Sequence, residues 1–328
     1  MTYVKVEKMK AVVQGQYGLE HIDVESVERP QPGPGQVLIR TTVASMNAAD
    51  WHLASDEMKI VRVGQGLRRP KAYVKGTDGC GVVEAVAPDV ADFDIGDIVF
   101  GIFKGAFAEY AVADVDKIAL APEGVTPEDL ASLPIAGVTA LQAVEAANVD
   151  GASVVVVGAS GGVGHYAIQL ARTFGAATVD GVCSAKNEEM VKGLGVDRVI
   201  DYNQDDFTSG RYDVVIDCVG SRSIGDIHGC LNPGGRLIMV GAGKDEPGAL
   251  GPLPQILWAL LRFLFSNRSV TSLSAKETRE RLERLAALQA SGDLRTLFDV
   301  EYSLDDISEA YQHLGSRRAA GKILIRPS

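Results

Sequence analysis

Several features of common protein classes are missing from this chain. Its 328 residues carry a formal net charge of −11 without a run of lysines and arginines, which argues against nucleic acid and anionic membrane surfaces as partners. Only four cysteines are present, scattered without metal-like spacing, so we expect free thiols in a reducing compartment. The first ten residues carry charges where a signal peptide needs an apolar core. The sequence therefore predicts a cytoplasmic protein that acts on small molecules.

Long hydrophobic runs are also missing. The most apolar stretch, residues 253–265, is too short to span a bilayer, which needs about 20 residues. No transmembrane segment is therefore expected. Because the stretch is apolar almost all round, it fits an ordinary core helix, a subunit interface or a lid over a lipophilic substrate.

The most informative segment spans residues 151–175. Residues 154–157 are continuously apolar and β-branched, as in a parallel-sheet strand that is covered on both faces. A glycine-rich turn follows and leads into a helix whose first turn offers N–H groups to a pyrophosphate. Gly161 allows close approach of phosphate and Gly164 allows close helix–strand contact, although Ala159 stands where the fingerprint has its first glycine. An ordinary strand-to-helix turn is the alternative, but the flanking strand and helix favour a dinucleotide site.

The order of patterns along the chain predicts two domains. Residues 9–120 contain short alternating runs separated by proline and glycine, which favours an antiparallel, barrel-like fold. Strands then alternate with helices, as in an open, doubly wound parallel sheet. The predicted strands of this sheet are residues 153–157, 178–183, 198–201, 212–218 and 235–240. The other predicted elements are helices at 127–133, 138–146, 276–290 and 304–313, and a strand at 322–325.

Short motifs along nearly the whole chain carry a family resemblance. They are SMNAAD at residues 45–50, GTDGCGVV at 76–83, GAFAEY at 105–110, LPIAGVTA at 133–140, ASGGVG at 159–164, VIDY at 199–202, DVVIDCVG at 213–220, LNPGGR at 231–236 and GK at 321–322. Together they resemble the medium-chain dehydrogenase/reductase superfamily, and within it the zinc-independent quinone oxidoreductases. Residues 253–265 form an insertion that is similar to the reticulon-4-interacting-protein-like reductases.

The resemblance implies an α/β protein with two domains. A chaperonin-10-like, β-rich catalytic domain would comprise residues 1–125 and 267–328, from both ends of the chain. A doubly wound Rossmann domain would comprise residues 126–266 and bind NADPH. The active cleft would lie between the two domains, and we expect a homodimer.

Zinc-dependent relatives hold their catalytic metal at positions that Asn47, Thr77 and Ala136 occupy here. None of these residues can replace a thiolate or an imidazole at tetrahedral zinc, so no metal is expected. Without a Lewis acid an isolated ketone is hard to reduce, because the developing alkoxide has little to stabilise it. A quinone or an α,β-unsaturated carbonyl spreads the charge into a hydroquinone anion or an enolate. Conjugated substrates are therefore expected.

The resemblance also implies roles for individual residues. Asn47 would lie near the nicotinamide ribose, Thr139 at the nicotinamide end and Tyr202 near the adenosine phosphate, although plain turn, cap or core residues fit the same pattern. Asp50 is expected to orient its neighbours. The other expected cofactor contacts are Ser160, Gly161, Gly162 and Val163 at the pyrophosphate, Gly241 and Ala242 beside the nicotinamide, and Lys322.

The choice of NADPH rests on the end of the second nucleotide-domain strand. NAD enzymes place an acid there, about 20 residues beyond the glycine turn. The family pattern puts Cys183 at that position, and Ser184 and Lys186 follow with a hydroxyl and a cation that suit a 2′-phosphate. Asp180 is a rival candidate for a ribose-binding acid.

The sequence thus predicts an NADPH-dependent quinone or enone reductase. Its predicted catalytic residues are Asn47, Asp50 and His52, of which His52 is a candidate proton donor to the reduced substrate. Water is the alternative source of that proton. A zinc-free alcohol or aldehyde dehydrogenase, and an NADPH-binding redox-sensing or structural protein with little turnover, are the alternative functions.

Overall fold

The computed structural model describes residues 7–55, 59, 62–241 and 251–327. Within these ranges the chain forms a two-stranded sheet, a seven-stranded sheet and a six-stranded sheet. The six-stranded sheet is parallel, and the seven-stranded one is antiparallel apart from one edge pair. This arrangement confirms the α/β class with a β-rich part and a doubly wound part.

The amino-terminal part is rich in strands because short apolar runs alternate with glycine and proline turns. Its strands are β1 (Lys8–Gln14), β2 (Ile22–Glu28), β3 (Gln36–Met46), β4 (Asp78–Val86), β5 (Ile98–Ile102), β6 (Tyr110–Asp114) and β7 (Ile118–Leu120). Two short helices, α1 (Ala48–Ala54) and α2 (Arg62–Gln65), lie between β3 and β4. The long strand β3 pairs with both β4 and β6 and forms the centre of this part.

A long helical segment connects this part to the parallel sheet. It consists of α3 (Pro127–Ser132), a π-helical segment (Leu133–Gly137) and α4 (Val138–Ala147). The combined helix is long and apolar enough to cross a membrane, but 78% of its most apolar window is buried inside the protein. Its burial is that of a core helix.

The parallel sheet follows as the sequence predicts. Its elements are β8 (Ser153–Val157), α5 (Gly164–Thr173), β9 (Thr178–Cys183), α6 (Glu188–Lys192), β10 (Arg198–Asp201), β11 (Tyr212–Asp217), α7 (Ile224–Cys230), β12 (Leu231–Met239), α8 (Leu253–Phe263) and β13 (Ser269–Ser272). The spatial order is β10-β9-β8-β11-β12-β13, so the chain changes direction across the sheet beside β8. Open parallel sheets bind ligands at such a switch point, outside the carboxyl ends of the strands.

The chain then returns to the first part. Its last elements are α9 (Arg279–Ala290), β14 (Phe298–Ser303), α10 (Ile307–Gly315) and β15 (Lys322–Arg326). Strand β15 pairs with β3, with Ile323 opposite Met46, and β14 extends the sheet beyond β15. The seven-stranded sheet therefore contains strands from both ends of the chain.

Several element boundaries differ from the predictions. Strand β12 begins at Leu231 rather than at residue 235, because Leu231 already pairs with Tyr212 of β11 before a shift in register. Helix α9 begins at residue 279 rather than 276. Residues 304–306 form a 3-10 turn ahead of α10, and α5 begins at Gly164 rather than near Gly162.

The parallel sheet also extends beyond residue 266, where the sequence analysis ended the nucleotide domain. Strand β13 pairs in parallel with β12, with Arg236 opposite Ser269 and Met239 opposite Ser272. A boundary at residue 266 would cut this strand from its own sheet. The expected boundary is therefore too early by at least the length of β13.

Helix α8 forms where the apolar run predicts a helix, but it is not a core helix. Ala259 and Phe263 are buried in the core cluster that includes residues of α7. Large apolar side chains on the rest of the helix and just beyond it are exposed, by 49% for Leu253 and by 94% for Phe265. The interpretation as a core helix is therefore wrong. The other two interpretations of this segment, a subunit interface and a lid, remain.

Gly164 sets the distance between α5 and the end of β8. A Cβ built on Gly164 would lie 2.1 Å from the carbonyl oxygen of Gly158. We expect Gly164→Ala to lower the free energy of unfolding by about 1–3 kcal/mol, the usual cost of overpacking. Gly229→Ala in α7 is the matched control, because its added Cβ would meet no atom within 4 Å. Urea titration measures both variants, and an unchanged midpoint for Gly164→Ala would contradict this account of the turn.

Candidate active site

The carboxyl ends of the parallel strands form one edge around the switch point. Val157 at the end of β8 lies opposite Val182 of β9 and Asp217 of β11. The segments that follow these strands therefore lie side by side, and they hold the turn at residues 158–163, Ser184 and Lys186, residues 218–220, and Gly241 after β12. The structure thus places these predicted cofactor residues at one edge of the parallel sheet. Ala242 lies outside the described residues.

The turn between β8 and α5 has the shape of a phosphate cradle. Gly158 has a φ of 81°, and the Gly161 amide donates to the Gly158 carbonyl over 3.0 Å. Gly162 leaves open space in which an added Cβ would meet only the Lys322 side chain, at 3.4 Å, and the Gly321 carbonyl oxygen. Amide groups at the start of α5 face this space as at other helix N-termini. These residues fit a dinucleotide pyrophosphate.

Strand β15 holds this turn against the seven-stranded sheet. The Gly321 amide donates to the Ser160 carbonyl over 2.8 Å. The next residue, Lys322, is only 2% exposed, and its Nζ donates to Oδ1 of Asn47 over 2.6 Å. The predicted residues Asn47 and Lys322 are therefore in contact beside the turn.

Asn47 and Asp50 form a reciprocal cap at the start of α1. Oδ2 of Asp50 accepts from the Asn47 amide over 2.8 Å, and the Asp50 amide donates to the Asn47 carbonyl over 2.9 Å. Both residues are buried. Burial raises the pKa of Asp50 to about 6, against the attraction of Lys322 and Lys75. In this geometry the Asp50 carboxylate holds the amide of Asn47 at the start of α1.

Asp78 is a second buried carboxylate close to Lys322. It begins β4, and its Oδ2 accepts from the Ile135 amide in the π-helical segment over 3.0 Å. Burial raises the pKa of Asp78 to about 7, and the nearby Lys322 opposes that rise. π-Helical segments frequently mark functional sites, because they displace one backbone turn.

Asp50, Asp78, Lys75 and Lys322 together form a buried charge cluster. Burial lowers the pKa of both lysines, whereas the carboxylates beside them raise it. Two positive and two negative side chains therefore share one largely dehydrated region, and each sign stabilises the other. The sequence analysis missed Lys75 and Asp78, although a lysine between Val74 and Gly76 ahead of a buried strand is an unusual feature that could have been noticed.

A cavity of about 410 Å³ adjoins the charge cluster. Asp50, Lys75 and Thr77 contribute to its wall, and the hydroxyl of Thr77 is buried without a hydrogen-bond partner among the described residues. The apolar part of the wall includes Leu53, Val74, Ile102 and Phe103. A mostly apolar cavity with a few convergent polar groups is the usual form of a small-molecule site.

The other predicted residues lie around this centre in different ways. Thr139 is buried in α4, and the Tyr202 amide donates to the Cys183 carbonyl, which brings Tyr202 to the end of β9. His52 packs edge-on against Trp51 and is absent from the described wall of the cavity. Burial, together with Arg317, lowers the pKa of His52 below its ordinary 6.5.

The centre offers little to a metal ion. In the part of the chain that the structure describes, no three His, Cys, Asp or Glu side chains lie together as a ligand set. The four cysteines are free, and three of them are buried. Oδ1 of Asn47 accepts a hydrogen bond from the ammonium of Lys322. The positive charge of that ammonium would repel a divalent cation at this position.

Removing Lys322 should change how stability depends on pH. The folded-state pKa values of Asp50 and Asp78 lie above 3.8, so their favourable contribution is complete below pH 3.8 and is lost as the pH rises through about 6 and 7. In Lys322→Met the pKa values of Asp50 and Asp78 should rise further, because both carboxylates lose a nearby cation. We expect the variant to be less stable than the wild type by about 1.5 kcal/mol at pH 5, where the hydrogen bond to Asn47 is lost, and by about 3–5 kcal/mol at pH 8, the cost of stranding buried charge.

Urea unfolding at the two pH values measures this difference, with Lys71→Met on the exposed surface as the control. An equal loss of stability at pH 5 and pH 8 would show that Lys322 acts through packing and not through charge.

Comparison with known proteins covers nearly the whole chain. Residues 33–123 match the alcohol dehydrogenase GroES-like domain, and residues 194–325 match a zinc-binding dehydrogenase domain. The chain is 31% identical over 330 residues to the chloroplastic quinone-oxidoreductase QR1 of Triphysaria versicolor, covering 95% of each protein. It is 29% identical over 338 residues to 2-methylene-furan-3-one reductase of Solanum lycopersicum, covering 98% of this chain and 79% of that protein.

A solved structure agrees with these sequence matches. The quinone oxidoreductase from Coxiella burnetii superposes with a TM-score of 0.84 at 28% identity, covering 98% of this chain and 99% of that one. The chain therefore belongs to the medium-chain dehydrogenase/reductase superfamily of nicotinamide-dependent oxidoreductases, among its quinone oxidoreductase-like members.

Proposed function

We propose that this protein is a zinc-independent, NADPH-dependent reductase of quinones or α,β-unsaturated carbonyls. The observation that carries the proposal is a continuous buried link between two sites. It runs from the dinucleotide turn through Lys322 and Asn47 to Asp50, which forms part of the wall of the cavity. A nucleotide crevice joined in this way to a mostly apolar cavity supports reduction of a small apolar molecule.

The chemistry of the cavity supports a conjugated substrate. Its polar groups include the ammonium of Lys75 and the hydroxyl of Thr77, which suit an anionic oxygen. Such donors are sufficient for an enolate or a hydroquinone anion, in which the charge is already delocalised. A localised alkoxide needs stronger stabilisation, of the kind that a metal ion supplies. The names of two relatives, a quinone oxidoreductase and a reductase of a methylene-furanone, point to the same substrate class.

The nucleotide would occupy the crevice at the switch point. When bound, its nicotinamide supplies the hydride. In the proposal, Ser160, Gly161, Gly162 and Val163 bind the pyrophosphate, Asn47, Thr139, Gly241 and Ala242 surround the nicotinamide end, Lys322 fixes Asn47, and Tyr202 lies near the adenosine phosphate. Asp50 acts as an orienting group through its cap with Asn47.

The preference for NADPH is supported by where Asp180 and Lys186 lie. Asp180 is inside β9 and forms an ion pair with Arg198 at 2.7 Å, so its carboxylate is already bound within the sheet. Lys186 follows the end of β9 on the surface, where its Nζ donates to the Arg318 carbonyl over 3.4 Å. Ser184 precedes it in the same segment. A cation and a hydroxyl at this edge suit a 2′-phosphate.

The proposal keeps His52 as a candidate proton donor. Its lowered pKa leaves the ring neutral at physiological pH, which makes it a weak acid there. Its absence from the described cavity wall also weighs against this role.

The proposal includes a homodimer in the cytoplasm. Strand β13 is an edge of the described parallel sheet, and the exposed apolar residues of α8 lie just ahead of it in the chain. A second copy that paired along this edge would cover both features. Free, mostly buried cysteines support a reducing compartment, although three similar proteins are named as chloroplast proteins and one as mitochondrial.

The reaction is tested by NADPH oxidation with purified protein and a panel of acceptors: menadione, 1,4-benzoquinone, 1-octen-3-one and an aliphatic aldehyde. We expect turnover with the quinones and the enone, because their reduced forms delocalise charge. The rate should be unchanged in EDTA, and elemental analysis should find far less than one zinc per chain.

Faster reduction of the aldehyde, or one tightly bound zinc whose removal abolishes activity, would favour a conventional alcohol dehydrogenase. NADPH binding without turnover of any acceptor would favour a sensing or structural protein.

Lys186→Ala tests the choice of cofactor. Loss of hydrogen bonds to a charged phosphate should weaken NADPH binding by about 1.5–3 kcal/mol, whereas NADH binding should hardly change. Lys192→Ala is the matched control, because Lys192 is an exposed lysine of α6 that pairs with Glu188. Fluorescence titration with both nucleotides measures the effect. If Lys186→Ala weakened the binding of NADPH and NADH equally, Lys186 would not bind the 2′-phosphate.

A further inference from the structure

Lys75 is a buried lysine in the wall of the cavity. Only 7% of the residue is exposed, and its backbone is held on both sides. The Lys75 amide donates to the Val12 carbonyl, and the Lys75 carbonyl accepts from the Phe107 amide, each over 2.9 Å. The start of its side chain is therefore fixed by β1 and by the loop before β6, and the residue lines the cavity.

The ammonium of Lys75 is not used to stabilise the fold by pairing. Among the described residues no ion pair or hydrogen bond to it is formed, and its principal charge partner is the more distant Asp50. A buried ammonium without close partners costs free energy, which folds tolerate mainly at functional sites. Lys75 therefore differs from Lys322, whose ammonium is satisfied by Asn47.

The other titratable groups around the cavity already form ion pairs or hydrogen bonds with other residues. The ammonium of Lys104 pairs with Asp114 at 2.7 Å, and the hydroxyl of Tyr73 donates to Glu25 over 2.9 Å. The Asp50 carboxylate is held in its cap with Asn47. Among the titratable side chains of the described wall this leaves Lys75, whose ammonium has no ion pair or hydrogen bond with a described residue, and the hydroxyl of Thr77 in the same wall is buried without a partner among them.

We propose that Lys75 binds the carbonyl oxygen of the substrate and gives it the proton that completes reduction, with the Thr77 hydroxyl as a second hydrogen-bond donor. This inference rests on the proposed function. The substrate gains a hydride from the nicotinamide, and an electron pair moves onto its oxygen. An N–H bond of Lys75 then breaks as an O–H bond forms, which yields the enol or the hydroquinone. The neutral amine recovers a proton from water, and the enol tautomerises to the saturated ketone.

Asp50 favours the protonated form of Lys75. Burial lowers the pKa of Lys75 from 10.5, and the carboxylate of Asp50 opposes that fall. The ammonium is therefore a stronger acid than that of a surface lysine. His52, which is held against Trp51, lacks a comparable position in the described wall.

Steady-state kinetics with four variants test the inference. Lys75→Met should lower kcat for an enone by at least about 100-fold, the lower range for a lost general acid. Lys75→Arg keeps the positive charge but does not release its proton. It should therefore retain most of the substrate binding, and its kcat should no longer fall at high pH. His52→Phe compares the rival donor, and Lys71→Met is an exposed lysine from the same loop as a control.

A second measurement does not depend on turnover. The probe is 4-nitrophenol, whose phenolate absorbs at longer wavelength than the phenol. The wild-type cavity should bind the phenolate and shift its titration to lower pH, because Lys75 stabilises the anion. Lys75→Met should lose this shift.

The outcomes separate the two proposals. An active wild type whose kcat and phenolate titration are unchanged in Lys75→Met would overturn the role of Lys75 and leave the reductase proposal standing. A loss of activity in His52→Phe but not in Lys75→Met would assign the proton to His52. A wild type that binds the phenolate through Lys75 but reduces no acceptor would overturn the reductase proposal instead.

Discussion

The hydrogen bond between Lys322 and Asn47 is the contact on which the rest of the centre depends. Lys322 begins the strand that pairs with β3, and its neighbour Gly321 binds the Ser160 carbonyl of the dinucleotide turn. Gly321 and Lys322 together therefore connect the parallel sheet, the β-rich sheet and the cap of α1. Its ammonium also lies close to two carboxylates that burial alone would protonate near neutral pH. Without that charge the same geometry would hold two stranded acids, so position and electrostatics are coupled here.

Under the proposed function, the same charges would take the place of a metal at a centre where the described residues offer no ligand set. Lysine cations lie near the residues that stand at the zinc positions of metal-dependent relatives. A fixed ammonium is a weaker electrophile than zinc, so it suits substrates that delocalise the charge they receive. A buried ammonium also donates a proton, which a metal ion cannot do without bound water. The apolar part of the cavity wall strengthens both effects, because charges interact more strongly in surroundings of low dielectric constant.

The sequence predicted the features that depend on local patterns. Strands β8, β9 and β10 have the predicted bounds, because continuous apolar runs flanked by glycine are recognisable without knowledge of the fold. The sequence predicted only part of the charge cluster. Asn47 and Lys322 are 275 residues apart, and they come into contact only when β15 pairs with β3. Lys75 was missed for a related reason: its burial depends on β1 and on the loop before β6. The apolar pattern of α8 predicted a helix correctly, but composition alone could not show which face the fold leaves exposed.

The central claim is that a nicotinamide hydride goes to the conjugated carbon of the substrate at a metal-free centre. The most direct test uses NADPH carrying deuterium at C4, prepared in both stereochemical forms, with 1-octen-3-one as the acceptor. Mass spectrometry and deuterium NMR then locate the label in the product. The account predicts octan-3-one with one deuterium at C1, the carbon β to the carbonyl, from one of the two forms. Deuterium on the carbonyl carbon of an allylic alcohol would contradict it, because that product requires stabilisation of a localised alkoxide.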